Sequence, residues 1–184
     1  MKGRTRTVLQ SSLLKAAANL TAQLSRLYTD PSADAVINWQ SVAEFAIFGL
    51  IQAHLNCHWQ QFLEDTFPTH RRTRSSTATG EKAEKPIWCN VFAKMLLDQT
   101  LGLFMMNTIF LICTNAVVHV SSHPALIFAE VNTRIWTLIR NAWKIWPACA
   151  LINFLWVPVE SRVLVASCVG FGWNIFLALV TMTK

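Results

Sequence analysis

The chain has 184 residues, of which 53% are hydrophobic and only 14% charged, and its formal net charge is +6. Soluble domains average about 25% charged residues, so the composition argues against an ordinary soluble domain. The length suffices for one compact domain, and the chain has no aromatic-and-basic motif of the kind that binds nucleic acid.

Two helices are predicted in the first third of the chain. Residues 8–28 are rich in Ala and Leu with small polar side chains, which favours a helix packed closely against others. Residues 40–63 contain an apolar stretch, 45–63, in which histidine is the only ionisable residue besides Cys57. Its polar side chains predict one face turned towards a partner or water. A polar, Ser/Thr-rich linker follows over residues 66–86.

Two long apolar runs decide the class of protein. Thr100–Val120 and Val163–Thr183 each extend for 21 residues without Lys, Arg, Asp or Glu. At the helical rise each covers about 30 Å, which is the thickness of a bilayer core. We therefore predict membrane-spanning helices over 91–120 and 163–183. The alternative is a soluble bundle that buries both helices, which a domain of this size rarely achieves.

The segment between these runs has two parts. Residues 127–146 place apolar side chains on one helical face beside several charges, and this pattern predicts an amphipathic helix lying along the membrane interface. Pro147 and Pro158 then bound a short apolar stretch, 147–158. Proline is tolerated in the first turn of a helix but breaks its interior, so we predict a half-helix or one part of a kinked span. The carbonyls freed by Pro158 need partners, and Asn153 is a candidate.

The predicted fold is therefore all-α, a multi-pass transmembrane bundle. It has about four spanning helices, an interfacial amphipathic helix and a short proline-bounded helix, in a single membrane domain over residues 1–184. The amino terminus, with Lys2, Arg4 and Arg6, and the linker 66–86 together carry eight of the 16 Lys and Arg residues, whereas residues 29–38 carry none. This asymmetry predicts that the amino terminus and the linker lie on the same side of the membrane.

A set of Trp, Asn, Pro and Arg residues in the carboxy-terminal part resembles the signature of the Mpv-seventeen and peroxisomal membrane protein family of small multi-pass organelle proteins. The matching residues are Trp143, Trp146, Pro147, Asn153, Phe154, Pro158, Arg162, Trp173 and Asn174. Asp98-Gln99 falls where the family has an Asp-Gln pair in its third helix. The sequence departs from the family pattern at Ala53-His54, where the family has Gly-Pro, and at Phe104, where it has Pro.

Asp98 is the strongest candidate for a functional residue, because a carboxylate inside a membrane helix needs a partner or water. In one interpretation it lines a solute path, paired with Arg162. In the other it pairs with Lys94 near the interface and only orients its helix. Further pore-lining or structural polar candidates are Gln99, Asn153, Arg162 and Asn174.

No catalytic residue or cofactor site is predicted. His54, Cys57 and His58 occupy positions i, i+3 and i+4, a spacing that could hold zinc, but no second ligand cluster accompanies them. The five cysteines form no CxxC pair and are interpreted as small hydrophobic residues. No nucleophile with a nearby base stands at motif spacing, so we expect no enzyme.

Three functions remain open. The first is a weakly selective solute pore contributing to organelle metabolite homeostasis, as the family resemblance implies. The second is a non-conducting structural or assembly protein, and the third a metal-dependent membrane enzyme. The expected partners are the lipid bilayer, small solutes if the protein is a pore, and a second copy of the chain if it forms a homo-oligomer.

The expected location is an organelle membrane. The resemblance implies the mitochondrial inner membrane or the peroxisomal membrane. Residues 1–28 are basic, free of acids and rich in Ser and Thr, which suits mitochondrial import. The carboxy-terminal TMTK is not a peroxisomal matrix signal. We therefore favour the mitochondrial inner membrane.

Overall fold

A computed structural model describes residues 2–29, 36–70, 85–118 and 124–182, and its described backbone is helical without strands. Side chains are described for 3–28, 36–70, 85–113 and 131–173. The helices are α1 (Lys2–Thr29), α2 (Trp39–Thr66), α3 (Trp88–Leu97), a π-helical segment (Asp98–Gly102), α4 (Leu103–Val118), α5 (Pro124–Ala142), α6 (Trp146–Trp156) and α7 (Val159–Met182). The prediction of an all-α fold is confirmed for these residues, while most of the linker 66–86 lies outside them.

Helices α1 and α2 form a hairpin against which α7 packs. The two helices approach closely at Gly49, where an added Cβ would lie 2.8 Å from the Cα of Ser12. The Ser12 hydroxyl donates to the carbonyl of Ala46 at 2.7 Å. At the loop end, Gln23 accepts from the backbone N–H of Asn38 at 2.7 Å. Small and polar residues thus hold α1 close to its neighbours, as its composition predicted.

The remaining chain forms two rods that run side by side in opposite directions. The first rod is α3, the π-helical segment and α4, and the second is α5 followed by α6. The ring of Trp136 lies 6.5 Å from that of Phe104. Seven residues further along the chain, the indole N–H of Trp143 donates to the carbonyl of Gln99 at 2.9 Å. The turn between α5 and α6 therefore faces the π-helical segment, so the breaks of the two rods lie opposite each other.

The apolar face predicted for residues 127–146 is buried, but it packs on another helix. Val131, Ile135 and Ile139 form a core cluster with Leu111 of α4. Because these contacts extend along α4, α5 lies lengthwise beside it. The predicted position of this helix along a membrane interface stays a prediction. Burial against α4 satisfies the same amphipathic pattern as burial against lipid.

The proline-bounded segment forms the short helix α6, with Pro147 in its first turn and a break at Val157–Pro158. Pro158 has no N–H to donate to the carbonyl of Phe154. That carbonyl accepts instead from the hydroxyl of Thr69 at 3.3 Å. Arg162 Nε donates to the carbonyls of Asn153 and Val157, each at 3.1 Å. The freed carbonyls thus have internal partners, but Thr69 and Arg162 provide them and not the side chain of Asn153.

One helix among the described residues, Trp88–Cys113, is long and apolar enough to cross a bilayer. On α3 it exposes Trp88, Phe92 and Leu96, which are spaced four residues apart and so share one face. An exposed apolar face of this kind is typical of contact with lipid. The further membrane spans, and with them the multi-pass arrangement, stay predictions.

The amino terminus and the start of the linker lie at the same end of the bundle. A cleft of about 690 Å³ there is lined by Arg4 and Arg6 of α1, Gln61 near the end of α2, and Glu160 at the start of α7. This agrees with the predicted shared side of the basic segments. The orientation of that end relative to a membrane stays a prediction.

Candidate functional site

A cavity of about 100 Å³ lies at the centre of the bundle, between α1, α2, the π-helical segment, α4, α6 and α7. Space of this size holds about three water molecules. Apolar side chains form much of its wall. Its polar lining consists of Lys15, Gln52, Asn56, Gln60, Asp98, Asn153, Arg162 and Ser167.

Asp98 enters this cavity from the first turn of the π-helical segment. Its Oδ1 accepts from the indole N–H of Trp59 at 3.0 Å and from the amide of Gln60 at 3.2 Å. Its Oδ2 accepts from the amide of Gln99 at 3.2 Å. All three donors are neutral, and Asp98 forms no ion pair with a described residue. Lys94 pairs with Glu64 instead, so the interpretation of Asp98 as a partner of Lys94 is wrong. Arg162 also pairs with Glu64 and acts on the Asp98 carboxylate only through its electrostatic field, so the interpretation that joins Asp98 and Arg162 in a solute path stays a prediction.

The π-helical segment shapes the wall around Asp98. A single π turn inserts one extra residue into a helix and often marks a functional site. Gly102 ends this segment, and an added Cβ there would lie 2.9 Å from Nε1 of Trp59 and 3.3 Å from Oδ1 of Asp98. The lack of a side chain at Gly102 therefore allows the indole of Trp59 to reach the carboxylate.

A buried charge cluster adjoins the cavity and is centred on Glu64. Oε2 of Glu64 lies 2.7 Å from Nζ of Lys94 and 2.8 Å from Nη1 of Arg162. The side chains of both cations are almost completely buried, with 0% and 4% exposed. Lys94 also donates to the hydroxyl of Thr69, whose backbone N–H donates to Glu64 at 2.8 Å. One carboxylate thus neutralises cations from two separate helices, α3 and α7.

The surroundings of Glu64 favour its charged form. This residue follows the apolar stretch 45–63. Burial raises the pKa of its carboxyl, but hydrogen bonds from Lys94, Thr69 and Arg162 outweigh burial and lower the pKa to about 2. The ring of Phe154 lies between the cations, with its centroid 5.1 Å from Nζ of Lys94 and 5.2 Å from Cζ of Arg162. These contacts add cation–π attraction.

The structure brings three of the predicted site residues together. Asp98, Asn153 and Arg162 all line the central cavity. Gln99 is buried beside it and bonds to Asp98. The side chain of Asn174 lies outside the described residues. The role of Asp98, Asn153 and Arg162 in a solute path stays a prediction.

Five residues of the site were not predicted: Lys15, Trp59 and Gln60 of the cavity, and Glu64 and Thr69 of the charge cluster. Glu64 is the first acid after an apolar stretch of 19 residues, 45–63. A search for the carboxylate that a buried Arg162 requires would have included it. Thr69 has no comparable signal, because its role depends on the carbonyl that Pro158 frees.

The three weak metal candidates form no metal site. The rings of His54 and His58 are in edge contact, 5.0 Å apart, and both residues are exposed. Cys57 lines the cleft near Arg4. Within the described part of the chain, no group of three His, Cys, Asp or Glu residues is placed to hold a metal ion.

Buried ion pairs, a polar cavity between helices and one helix suited to crossing a bilayer are features of a helical membrane protein. Residues 121–178 match the model of the Mpv17 / PMP22 family. The chain is 27% identical to PXMP2/4 family protein 3 of Dictyostelium discoideum, over 80% of this chain and 71% of the relative. It is 29% identical to the mitochondrial inner membrane protein Mpv17 of Caenorhabditis briggsae, over half of each chain.

The protein SYM1 of Yarrowia lipolytica is 39% identical over 33% of this chain and 30% of the relative. No solved structure matches the chain. The resemblance to the Mpv17 / PMP22 family that was predicted from the signature residues is confirmed. The predicted location in an organelle membrane, with the mitochondrial inner membrane favoured, is also confirmed.

Proposed function

We propose that this protein is a solute pore of an organelle membrane and that solutes pass through the central cavity. The observation that supports the proposal most is the meeting of Asp98, Lys15 and Arg162 around that cavity. Charged side chains inside a membrane bundle are costly and usually mark a path for solutes or ions. A purely structural bundle would gain stability by filling this space with apolar side chains.

The backbone around the cavity supports the same proposal. Irregular backbone inside a membrane protein is tolerated where it lines a cavity or is buried in protein. Here the π-helical segment and the first turn of α6 both border the cavity. Transporters often build their binding sites from helices interrupted in this way.

Flux measurements test the pore. Purified protein is reconstituted into liposomes and planar bilayers, and solute efflux and conductance are compared with empty lipid. We expect flux above the lipid background, and a changed rate or selectivity for Asp98→Asn. Asp65→Asn is the matched control, because Asp65 is an exposed carboxylate of α2 that does not line the cavity. Folded wild-type protein without any flux would refute the proposal.

A non-conducting structural protein is the second candidate. The observation that favours it is the double ion pair of Glu64 with Lys94 and Arg162, which ties α2 to α3 and α7. Under this alternative, Asp98→Asn and Arg162→Met lower stability and change no flux. Under the pore proposal, Asp98→Asn changes flux in a protein that remains folded.

We infer that the protein is not an enzyme. The third candidate, a metal-dependent enzyme built on His54, Cys57 and His58, lacks a ligand group among the described residues. Metal analysis of the purified protein tests it. Stoichiometric bound metal that is lost in His54→Ala would revive this candidate.

A further inference from the structure

Helix α5 turns a polar face away from the rest of the bundle. Val131, Ile135 and Ile139 pack on α4, on the opposite side of the helix. The exposed residues between 132 and 141 are Asn132, Thr133, Arg134, Trp136, Thr137, Arg140 and Asn141. All but Trp136 are polar, and we call these six the polar face of α5. Lys144 extends this face into the turn before α6 and is also exposed.

Contacts between the two rods give the level of the polar face along the bundle. The ring of Trp136 lies against that of Phe104, 6.5 Å between centroids. Seven residues later, Trp143 bonds to the carbonyl of Gln99. Arg140 lies between these two contacts in the second rod and is therefore about level with residue 101 of the first rod.

This level is near the middle of Trp88–Cys113, the helix suited to crossing a bilayer. Residue 101 is 13 residues from one end of this helix and 12 from the other, which is about 20 and 18 Å at the helical rise. Around that level the first rod exposes the apolar side chains of Leu96, Leu101 and Phe104. Thr100 is exposed too, but its hydroxyl donates to the carbonyl of Leu96. In a bilayer crossed by this helix, the two rods thus present an apolar and a polar surface at the same depth.

The cations of the second rod have no counter-charge within the described part of the chain. Arg140 Nε donates to the backbone carbonyl of Trp136 at 3.4 Å, and Lys144 Nζ donates to Oδ1 of Asn141 at 3.0 Å. No described carboxylate forms an ion pair with either cation. A charged side chain deep in a bilayer is costly unless water or a partner solvates it. The polar face of α5 therefore indicates water next to this helix, whereas the first rod suits lipid.

Copies of the same chain can enclose such water. In a ring about an axis normal to the membrane, every copy presents the same face at the same depth. Direct contact between polar faces would bring each Arg140 close to its equivalent, so water between the faces is favoured. Trp136 and Trp143, which are 57% and 50% exposed beside the polar face, supply aromatic surface of the kind enriched in contacts between subunits.

We propose that the polar face of α5 lies inside the bilayer and borders a water-filled space enclosed by copies of this chain, where its cations attract anions. A water-filled space lined by one sign of charge raises the local concentration of the opposite ion. This space lies outside the central cavity. The proposal therefore goes beyond a pore through that cavity and does not rest on it.

Spin labels at two positions of similar depth test the surroundings of α5. Thr137→Cys places a label on the polar face, and Leu101→Cys places one on the exposed apolar surface of the first rod. Each cysteine is introduced into a protein whose five native cysteines are replaced, and the labelled protein is reconstituted into liposomes. Electron paramagnetic resonance then measures relaxation of each label by molecular oxygen, which concentrates in lipid, and by a neutral nickel complex, which stays in water.

We expect the ratio of nickel to oxygen relaxation to be about tenfold higher at residue 137 than at residue 101, because hydrocarbon excludes the polar complex. Oxygen as the main relaxant of both labels would mean that α5 faces lipid. The nickel complex as the main relaxant of both would place the two rods outside the hydrocarbon, as for a helix along the interface. Either result overturns the proposal.

Dipolar coupling between labels at residue 137 tests the enclosure by copies of the chain. We expect coupling in fully labelled protein, its loss when unlabelled protein is mixed in before reconstitution, and its persistence when only the lipid-to-protein ratio is raised. Coupling that disappears as lipid is added reflects chance encounters. That result, or no coupling at all, would refute the enclosure.

Charged thiol reagents test the attraction of anions. Thr137→Cys protein in liposomes is treated with a sulfonatoethyl or a trimethylammonioethyl methanethiosulfonate, and the ratio of the two rates is followed by mass spectrometry. Arg140→Gln should lower the anion-to-cation ratio about fivefold, as expected of one nearby charge in water. Arg4→Gln is the matched control, because Arg4 is exposed at the far end of α1 and should leave the ratio unchanged.

Lys144→Gln is the second variant if Arg140→Gln does not fold, as judged by size-exclusion chromatography. An unchanged ratio in the folded variant, or a Thr137→Cys thiol that reacts with neither reagent, contradicts the proposal. None of these readouts depends on flux, so a failed flux measurement removes the pore through the central cavity and leaves the polar face of α5 standing. Failure of the readouts at residue 137 leaves that pore untouched.

Discussion

Glu64 compensates two buried cations with one carboxylate, so its loss affects more than one interaction. Lys94 of α3 and Arg162 of α7 both contact Oε2 of Glu64. Removing one partner of a buried charge leaves the other charge unpaired, which costs more than the pair itself contributes. At the residue scale, the structure thus depends on Glu64 more than on Asp98, which has only neutral donors around it.

Glu64→Gln is expected to lower the free energy of unfolding by about 3–5 kcal/mol, because it leaves both cations buried without their counter-charge. The measurement is thermal or denaturant unfolding of the purified protein in detergent, followed by near-ultraviolet circular dichroism.

The neighbouring exposed carboxylate provides the matched control for this change. Asp65→Asn removes the same charge from the next position of α2, where the side chain is exposed. Its effect should stay within about 0.5 kcal/mol, as for most surface substitutions. Equal effects of the two substitutions would contradict the role assigned to Glu64.

The helix break between α6 and α7 is stabilised by groups from distant parts of the chain. Val157 has an extended backbone, with ψ of 126°, as is common before proline. Arg162 bonds to two carbonyls of the break from within α7. Thr69, which follows α2, bonds to a third. At the element scale, the break is therefore part of the packing between α2 and α6 and not a local kink alone.

Thr69→Val tests this link, because it removes the hydroxyl and keeps the shape of the side chain. It leaves the carbonyl of Phe154 without its donor, and we expect a loss of about 1–3 kcal/mol of stability. In a Pro158→Ala background the loss should be smaller, because an N–H at residue 158 can donate to Phe154. A double-mutant cycle in detergent measures the difference. Equal losses in both backgrounds would show that Thr69 does not compensate for Pro158.

The close approach of α1 and α2 permits a second test at this scale. Gly49→Ala places a Cβ 2.8 Å from the backbone of Ser12, so the helices must separate. Overpacking of this kind costs about 1–3 kcal/mol. Gly172→Ala is the control, because an added Cβ there meets no atom within 4 Å. The two variants are compared by their unfolding midpoints in detergent, and a Gly49→Ala protein as stable as Gly172→Ala would refute the tight contact.

For the whole molecule, the sequence predicted the helices and the position of the break but not how the helices meet. Apolar runs and prolines are local signals, and they are followed by α2, α4, α6 and α7. The sequence offers Glu64 as one candidate partner of Arg162, but it does not select Glu64 over other acids, because that choice depends on how α2 and α7 are rotated against each other. The π-helical segment at Asp98 carries no composition signal. The amphipathic pattern of α5 fits lipid and protein equally well, so the sequence alone did not reveal its packing on α4.

The arrangement of helix ends makes a prediction about membrane sidedness. Arg4 lies near Gln61 at one end of the bundle, whereas Asn38 bonds to Gln23 towards the other end. Helix α1 is 28 residues long, which corresponds to about 42 Å, enough to separate two aqueous sides. Single cysteines are introduced at Gly3, Thr66 and Val36 in a cysteine-free protein and labelled with a membrane-impermeant maleimide in sealed vesicles.

We expect Gly3→Cys and Thr66→Cys to react from the same side and Val36→Cys from the opposite side. All three native residues are exposed, and Val36 is 88% exposed, so the protein itself does not shield the introduced thiols. Permeabilised vesicles are the control, since all three cysteines must then react. Labelling of Gly3→Cys and Thr66→Cys from opposite sides would contradict the hairpin of α1 and α2. Labelling of all three from one side would mean that this hairpin does not cross the bilayer, and the central cavity would then lack a path between two compartments.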